Sequence, residues 1–194
     1  ALPLYEQIVA QTIEHLFITW KQANGLFCHS IDADSDGKEG LYYTISKAEL
    51  CDVLDDSNLA KIVADYYQMT DDGNMVDEST KERNGQNIFH PKSSDISFDL
   101  EDVRKKMQHF RSTNRSHPLV DPAVFISANA LLLKALFIAA DVFSRQDWHD
   151  EAFELMTQIM LQFKHQQNTL YLDDVIYTLD ALYFALTLNH DVMD

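Results

Sequence analysis

The stretch from Ala123 to Leu188 constrains the fold most, because three long helical patterns follow one another there with short polar connections. Apolar residues at helical spacing predict helices over 123–144, 148–166 and 172–188. The first pattern is apolar nearly all round, which is typical of a buried inner helix, whereas the second alternates with polar positions as an outer helix does. Consecutive helices with short links pack as antiparallel hairpins. The sequence therefore predicts a mainly α-helical protein built of α-hairpins.

Further helices are predicted in the first part of the chain. Apolar residues recur at helical spacing in three more segments, which cover residues 4–21, 59–67 and 99–111. Residues 41–45 have the composition of a short strand. Directly after them, Ser46 and Glu49 form a capping-box pattern that predicts a helix start near Lys47.

Residues 71–95 are the most polar and least periodic part of the chain. The run Asp71-Asp72-Gly73-Asn74 predicts a turn, residues 78–85 resemble an exposed hairpin tip, and residues 87–91 resemble a short return strand. We therefore expect a small β-hairpin insertion at about 71–95 in an otherwise helical domain.

Size and composition indicate one folded domain that comprises residues 1–194. A chain of 194 residues with 46% hydrophobic residues can bury one substantial core or form a closely joined pair of lobes. The 15 Lys and Arg residues against 31 Asp and Glu residues give a formal charge of −16, which excludes a nucleic-acid partner and disfavours anionic membranes. We therefore expect an acidic globular protein that binds neither nucleic acid nor membrane.

Cysteine usage and hydropathy indicate the compartment. The two cysteines, Cys28 and Cys51, form no CxxC pair, so a disulfide-stabilised secreted domain is not expected. The most apolar segment, residues 124–142, contains Asn129 and Lys134 and is therefore not expected to span a membrane. We expect a soluble protein of the reducing cytoplasm.

The segment from Gly25 to Tyr43 has the composition of a binding site, with four carboxylates and three glycines in nineteen positions. Asp32, Asp34 and Asp36, followed by a glycine, match the start of an EF-hand-type calcium loop. Tyr43 takes the position of the bidentate glutamate, so a complete EF-hand is not expected. The residues are also typical of a turn in which aspartates accept hydrogen bonds from backbone amides. Calcium coordination by the three aspartates and a structural turn both remain open.

Several segments carry, in order, a resemblance to a known family. They cover residues 25–43, 72–74, 87–90, 115–121, 127–130 and 172–174. The first has a glycine-aromatic, Asp-Ala-Asp-Ser and Glu-Gly signature, and the last reads Leu-Asp-Asp. Together they resemble the YyaL-like family, thioredoxin-fused proteins related to the spermatogenesis-associated type. The resemblance implies that the α-hairpins form part of an α/α toroid like that of six-hairpin glycosidases and sugar epimerases.

By this resemblance the acidic loop and the start of the last helix border a carbohydrate-binding cleft. Asp32 or Asp34 would pair with Asp173 or Asp174 to supply the two catalytic carboxylates that glycosidic chemistry requires. The substrate-binding residues that the resemblance implies are Asp121, Ser127, Asn129 and Asp174. From the residues alone, Asp173 or Asp174 also suits an N-terminal helix cap, and Asn129 suits a bond to a nearby backbone carbonyl.

The chain departs from the family pattern at several positions. Pro122 stands where the family has Asp, and Ala128 and Ala130 flank Asn129 in place of Trp and Gly. The predicted helices are also too few for a full toroid, so we expect either a homodimer or a missing remainder in a longer chain. The expected function is that of a carbohydrate-related or degenerate relative that is not an active enzyme as an isolated chain. The alternatives are a non-catalytic protein-interaction or dimerisation module, and a calcium-binding protein that uses the acidic loop.

Overall fold

The computed structural model describes residues 3–77, 80–92, 96–165 and 170–190. Within these ranges the chain is mainly α-helical, as predicted, and its strands are short. The helices are α1 (Pro3–Thr19), α2 (Lys47–Leu54), α3 (Ser57–Tyr66), α4 (Leu100–Asn114), α5 (Ile126–Phe143), α6 (Gln146–His165) and α7 (Leu172–His190). The strands are β1 (Ser30–Ile31), β2 (Asp34–Ser35), β3 (Lys38–Glu39) and β4 (Val120–Asp121).

Contacts along the chain group it into two compact units. Unit 1 comprises Ala1–Ser30 and Val120–Asp194, and unit 2 comprises Ile31–Leu119. Each unit has its own cluster of buried apolar side chains. A single domain over residues 1–194 requires that the two units unfold together. The single domain therefore stays a prediction.

Unit 1 is built around α5, on which both α6 and α7 pack. Leu133, Leu136 and Phe137 on α5 are at most 1% exposed, as are Leu155 and Ile159 on α6. The three helices predicted for this part of the chain are confirmed, each within a few residues of its predicted bounds. Periodicity located them because one face of each helix must be apolar to reach this core.

Of the helices in the described ranges, α5 is the one that is long and apolar enough to cross a membrane by length and composition alone. In the folded chain, however, 44% of this segment is buried. Its buried residues, among them Asn129, Leu133 and Phe137, belong to the core of unit 1. The cytoplasmic location stays a prediction.

Unit 2 packs α3 and α4 on α2 around a second apolar cluster that includes Leu50 and Val103. Its first helix begins as the capping-box pattern predicts. The Glu49 N–H donates to Ser46 Oγ over 3.2 Å, and the Ser46 N–H donates to the Glu49 carboxylate over 2.8 Å. Both bonds satisfy amides that have no acceptor within the helix. The predicted helix start at Lys47 is confirmed.

The side chain of Arg115 fixes the loop that precedes α2. The side chain is 5% exposed, and its guanidinium donates to the backbone carbonyls of Leu41 and Thr44 and, over 3.0 Å, to the Glu49 carboxylate. Burial of the Glu49 carboxyl raises its pKa, but hydrogen bonds from Ser46 and Arg115 outweigh burial and leave the pKa below its ordinary value. The folded structure therefore favours the ionised form of Glu49.

The strand predicted over residues 41–45 is wrong. These residues form turns, and Ile45 makes an isolated bridge to Asn87 instead of a ladder. The physical reason is that the carbonyls of Leu41 and Thr44 accept hydrogen bonds from Arg115, a side chain that local composition does not reveal as their partner.

The β-hairpin insertion predicted at about 71–95 forms no strand in the described part of that segment. Residues 78–79 and 93–95 lie outside the described residues. The Met75 N–H still donates to the Gln86 carbonyl over 3.2 Å, so two arms approach each other as they do in a hairpin. The segment is therefore a turn-rich loop with a hairpin-like crossing.

The Asn87 side chain supplies hydrogen bonds to this loop in place of a strand ladder. This side chain is fully buried, accepts from the Thr70 N–H over 2.9 Å, and donates to the carbonyls of Thr70 and Gly85 over 3.2 Å each. A side-chain amide thus satisfies backbone groups that a neighbouring strand would otherwise satisfy.

Candidate functional site

The acidic loop contains a short strand hairpin. β2 pairs antiparallel with β3, with Asp34 opposite Glu39. Asp36 and Gly37 connect them, and both have positive φ, at 52° and 70°. A two-residue Asp-Gly connection with positive φ suits the right-handed twist of a hairpin. This dipeptide was the sequence signal that could have placed the hairpin in the acidic loop.

The three aspartates of the acidic loop are exposed, and two of them accept hydrogen bonds from the backbone. Asp32 Oδ1 accepts from the Asp34 N–H over 3.0 Å, and Asp36 Oδ2 accepts from the Ser116 N–H over 3.4 Å. Hydrogen bonding from Ser116 holds the pKa of Asp36 below its ordinary value. The Asp32 bond is that of the structural turn, the alternative that the residues left open, whereas Asp36 accepts from a segment 80 residues further along the chain.

Metal binding has no further support from the side-chain arrangement. In the part of the chain that the structure describes, no group of three or more His, Cys, Asp or Glu side chains is placed to hold a metal ion. Calcium coordination by Asp32, Asp34 and Asp36 therefore stays a prediction.

Asn129, a predicted substrate-binding residue, lies in the core of unit 1 and is 2% exposed. Its Oδ1 accepts from the Phe27 N–H over 2.8 Å, and its Nδ2 donates to the carbonyls of Phe27 and Phe125 over 3.0 Å each. The amide thereby joins the segment after α1 to the first turn of α5. Both amide hydrogens are used in these bonds, which are of the structural kind that the residues left open for Asn129.

Asp174 connects the beginnings of two helices. It is 6% exposed, its Oδ1 accepts from the Ser127 N–H over 2.9 Å, and its Oδ2 accepts from the Tyr171 N–H over 3.0 Å. Phe125 precedes α5 and provides no side-chain cap, so a carboxylate from α7 caps α5 as well as its own helix. The positive ends of two helix dipoles favour a negative charge at this position. The N-terminal cap that the residues suited is thus observed at Asp174.

The other predicted site residues have simpler surroundings. Asp121 is exposed, and its Oδ1 accepts from the Ala123 N–H over 2.9 Å in a local turn. Ser127 is half-buried, and Asp173 is exposed in the first turn of α7. The structure thus brings Ser127, Asn129 and Asp174 together around the start of α5.

The catalytic pair implied by the resemblance draws on both units. Asp32 and Asp34 belong to unit 2, whereas Asp173 belongs to unit 1. The pairing of these carboxylates, and the carbohydrate ligand that it implies, stay predictions.

Sequence reasoning missed an exposed apolar stripe along α7, which is named the α7 seam. Its residues are between 49 and 72% exposed: Leu172, Ile176, Leu179, Tyr183 and Leu186. They are spaced by four, three, four and three residues, which is the heptad spacing of a helix that packs on another helix. The opposite, buried stripe of α7 consists of Asp174, Thr178, Ala181 and Ala185. The signal was present in the sequence as two separate stripes with heptad spacing on one helix.

Other helices of unit 1 also expose apolar side chains. The predicted burial of α5 holds for its core face, whereas Leu131, Ile138 and Val142 are exposed. A groove of about 730 Å³ lies beside α7. Its walls are mostly apolar: Met156, Thr157, Met160, Leu161, Phe163, Lys164 and Leu182. Two of its wall residues, Met156 and Met160, have flexible side chains.

Comparison with known proteins adds no assignment to this geometry. No model of a known protein family matches the chain, and no curated protein sequence matches it either. The resemblance to the YyaL-like family, and with it the place of these helices in an α/α toroid, therefore stays a prediction that rests on the sequence segments that carry it.

Proposed function

We propose that this chain is a non-catalytic interaction module that binds a helix through the α7 seam. The observation that carries the proposal is the seam itself: five large apolar side chains at heptad spacing, each about half exposed or more. Soluble proteins seldom leave a contiguous apolar stripe of this kind open to water unless something binds it. Heptad spacing matches the knobs-into-holes contacts that a second helix makes.

The free energy available at the seam is sufficient for moderate binding. Complete burial of a Leu or Ile side chain contributes about 1.5–3 kcal/mol. With roughly half to three-quarters of each seam residue exposed, covering all five contributes on the order of 7 kcal/mol on this side of the interface. Association costs about 4–15 kcal/mol in lost freedom, so the partner must contribute a comparable apolar surface of its own.

The surroundings of the predicted sugar-binding residues favour this function over a carbohydrate-related one. A sugar site needs polar groups that converge on the ligand. Asn129 and Asp174 are instead buried and bonded to backbone groups of unit 1. Pro122 and Ala128, in place of polar or aromatic family residues, support the same conclusion.

A synthetic helical peptide tests the proposal. The probe is a peptide with Leu at every a and d position of its heptads, labelled for fluorescence anisotropy. The control is a scrambled peptide of the same composition and charge. We expect the heptad peptide to bind the wild-type chain and the scrambled peptide to bind much more weakly. The double variant Leu179→Lys, Tyr183→Lys should bind at least tenfold more weakly, because two charges then lie in the centre of the seam.

Ile18 supplies a matched control variant. It belongs to α1, is 76% exposed and does not lie on α7. Ile18→Lys adds one charge to an exposed apolar position of unit 1 and should leave peptide affinity unchanged. Equal affinity for the wild-type chain and the seam double variant would show that the peptide does not use the seam, and the proposal would be abandoned.

A further inference from the structure

We infer that the helix that covers the α7 seam is the α7 seam of a second copy of this chain, packed antiparallel to the first. The inference rests on the proposed function and names its partner. Three properties of the seam lead to it: the symmetry of its side chains, the neutralisation of its central charge, and its length.

The seam is complementary to itself when two copies run antiparallel and the two-fold axis crosses the seam at the level of Ala181 along the helix. Heptad geometry then places Ile176 opposite Leu186 of the second copy, and Leu179 opposite Tyr183 of the second copy. Symmetry repeats both layers, so four of the five seam residues in each copy gain an apolar partner. In a parallel pairing, by contrast, the two bulky Tyr183 rings would face each other. The antiparallel arrangement matches each Tyr183 with the smaller Leu179.

The chain carries a formal charge of −16, but the acidic residue at the centre of the seam is neutralised within each copy. Asp180 flanks the seam close to the symmetry axis, so the two copies of Asp180 approach each other in the antiparallel arrangement. Each is already paired, because Lys134 Nζ lies 2.7 Å from Asp180 Oδ2 within the same copy. Lys134 also lies over the Phe184 ring, 5.7 Å from its centroid. Asp173, the exposed acidic residue at the start of the helix, lies far from its symmetry mate.

The length of the seam predicts a weak dimer. From Leu172 to Leu186 the helix rises by roughly 20 Å, which is short for an interface between permanently associated subunits. A dissociation constant in the micromolar range is therefore expected, and the populations of the two species should depend on protein concentration.

Sedimentation equilibrium across the micromolar range tests whether the occupant is a second copy. We expect a reversible monomer–dimer equilibrium for the wild-type chain and for Ile18→Lys. The double variant Leu179→Lys, Tyr183→Lys should remain monomeric at every concentration. A wild-type chain that is monomeric at all concentrations overturns the inference, and so does a dimer that persists in the seam double variant.

Lys134 supplies a sharper test, because a merely sticky surface would not depend on it. Lys134→Ala leaves two unneutralised Asp180 carboxylates near the axis and should weaken the dimer roughly tenfold. Adding Asp180→Asn to that variant, or raising the salt concentration, should restore most of the affinity. Lys61→Ala, at an exposed position of unit 2, should change nothing. Equal dimerisation of the Lys134→Ala and Lys61→Ala variants would contradict the arrangement about Ala181.

Disulfide cross-linking tests the orientation, on a Cys51→Ser background that removes the less buried native thiol. Asp180→Cys should cross-link to itself under mild oxidation because its two copies meet near the axis. Asp173→Cys should not, because its two copies lie at opposite ends of the seam. The reverse outcome would overturn the antiparallel arrangement.

The peptide and dimer experiments together distinguish failure of the second-copy inference from failure of the proposed function. If the chain is monomeric at all concentrations but binds the heptad peptide through the seam, the second copy is excluded while the proposed function stands, and the natural occupant is another helix. If neither the peptide nor a second copy uses the seam, the proposed function fails as well.

Discussion

Replacement of Asn129 by Ala should destabilise the protein strongly, because it leaves backbone groups in the core of unit 1 without partners. The Phe27 N–H loses its acceptor and the Phe27 carbonyl loses its donor, in a residue that is 4% exposed. The Phe125 carbonyl retains one bond, from the Asn129 N–H, and therefore contributes less. Each buried group left without a partner costs about 1–3 kcal/mol. We expect the free energy of unfolding to fall by about 2–6 kcal/mol.

Urea unfolding followed by tryptophan fluorescence is the appropriate assay. The two tryptophans, Trp20 and Trp148, both belong to unit 1, so their emission reports on the unit that contains Asn129. A loss of this size is a large part of the roughly 5–15 kcal/mol that stabilises a typical domain. The midpoint of unfolding should therefore move to a clearly lower urea concentration.

Ser127→Ala is the matched control, since this residue was also a predicted ligand contact on the same helix. Its backbone N–H continues to donate to Asp174 in the variant, and a change within about 0.5 kcal/mol is expected. If Asn129→Ala unfolded at the same urea concentration as Ser127→Ala, the three hydrogen bonds of Asn129 would not stabilise the fold. The expected cost of leaving the Phe27 amide and carbonyl without partners would then be refuted.

Three further outcomes are expected. Gly73→Ala should cost more than about 2 kcal/mol in urea unfolding, because its Cβ would overlap the Gln86 carbonyl oxygen. Gly37→Ala, also at positive φ but with nothing within 4 Å of the added Cβ, should cost about 1 kcal/mol. The pKa of Glu49 is depressed in the folded state, so its contribution is present above the ordinary value of 4.5 and is lost as the pH falls through the lower folded-state value; Glu49→Gln should therefore show a smaller loss of stability over this window in thermal unfolding. If residues 1–194 form a single domain, tryptophan fluorescence and far-ultraviolet circular dichroism should report the same unfolding midpoint, and two separate midpoints would show that the units unfold independently.

Local sequence rules succeeded where one segment contains all the interacting groups. Ser46 and Glu49 are three residues apart and satisfy each other's amides, so their pattern was sufficient to place the start of α2. The same rules failed over residues 41–45, because the partner of those carbonyls is Arg115, far along the chain. A strand propensity describes a segment that is able to pair, and it cannot supply the neighbouring strand.

The candidate site residues illustrate the same limit. Sequence reasoning recognised that a buried Asn129 must find hydrogen-bond partners, but only the fold identifies them as the backbone of Phe27 and Phe125. It also recognised Asp174 as a potential cap for its own helix. That one carboxylate also caps α5 depends on the two helices beginning side by side, which no local pattern encodes.

The sequence alone determined that α7 is a helix and that it carries two stripes with heptad spacing, because backbone periodicity and side-chain identity are local properties. Tertiary structure decided which stripe is buried. The small residues Ala181 and Ala185 allow α7 to approach α5 closely, and the large side chains of the α7 seam consequently face outward. Burial requires a partner surface as well as an apolar stripe, and within unit 1 the packing of α5 provides that surface on one side of α7.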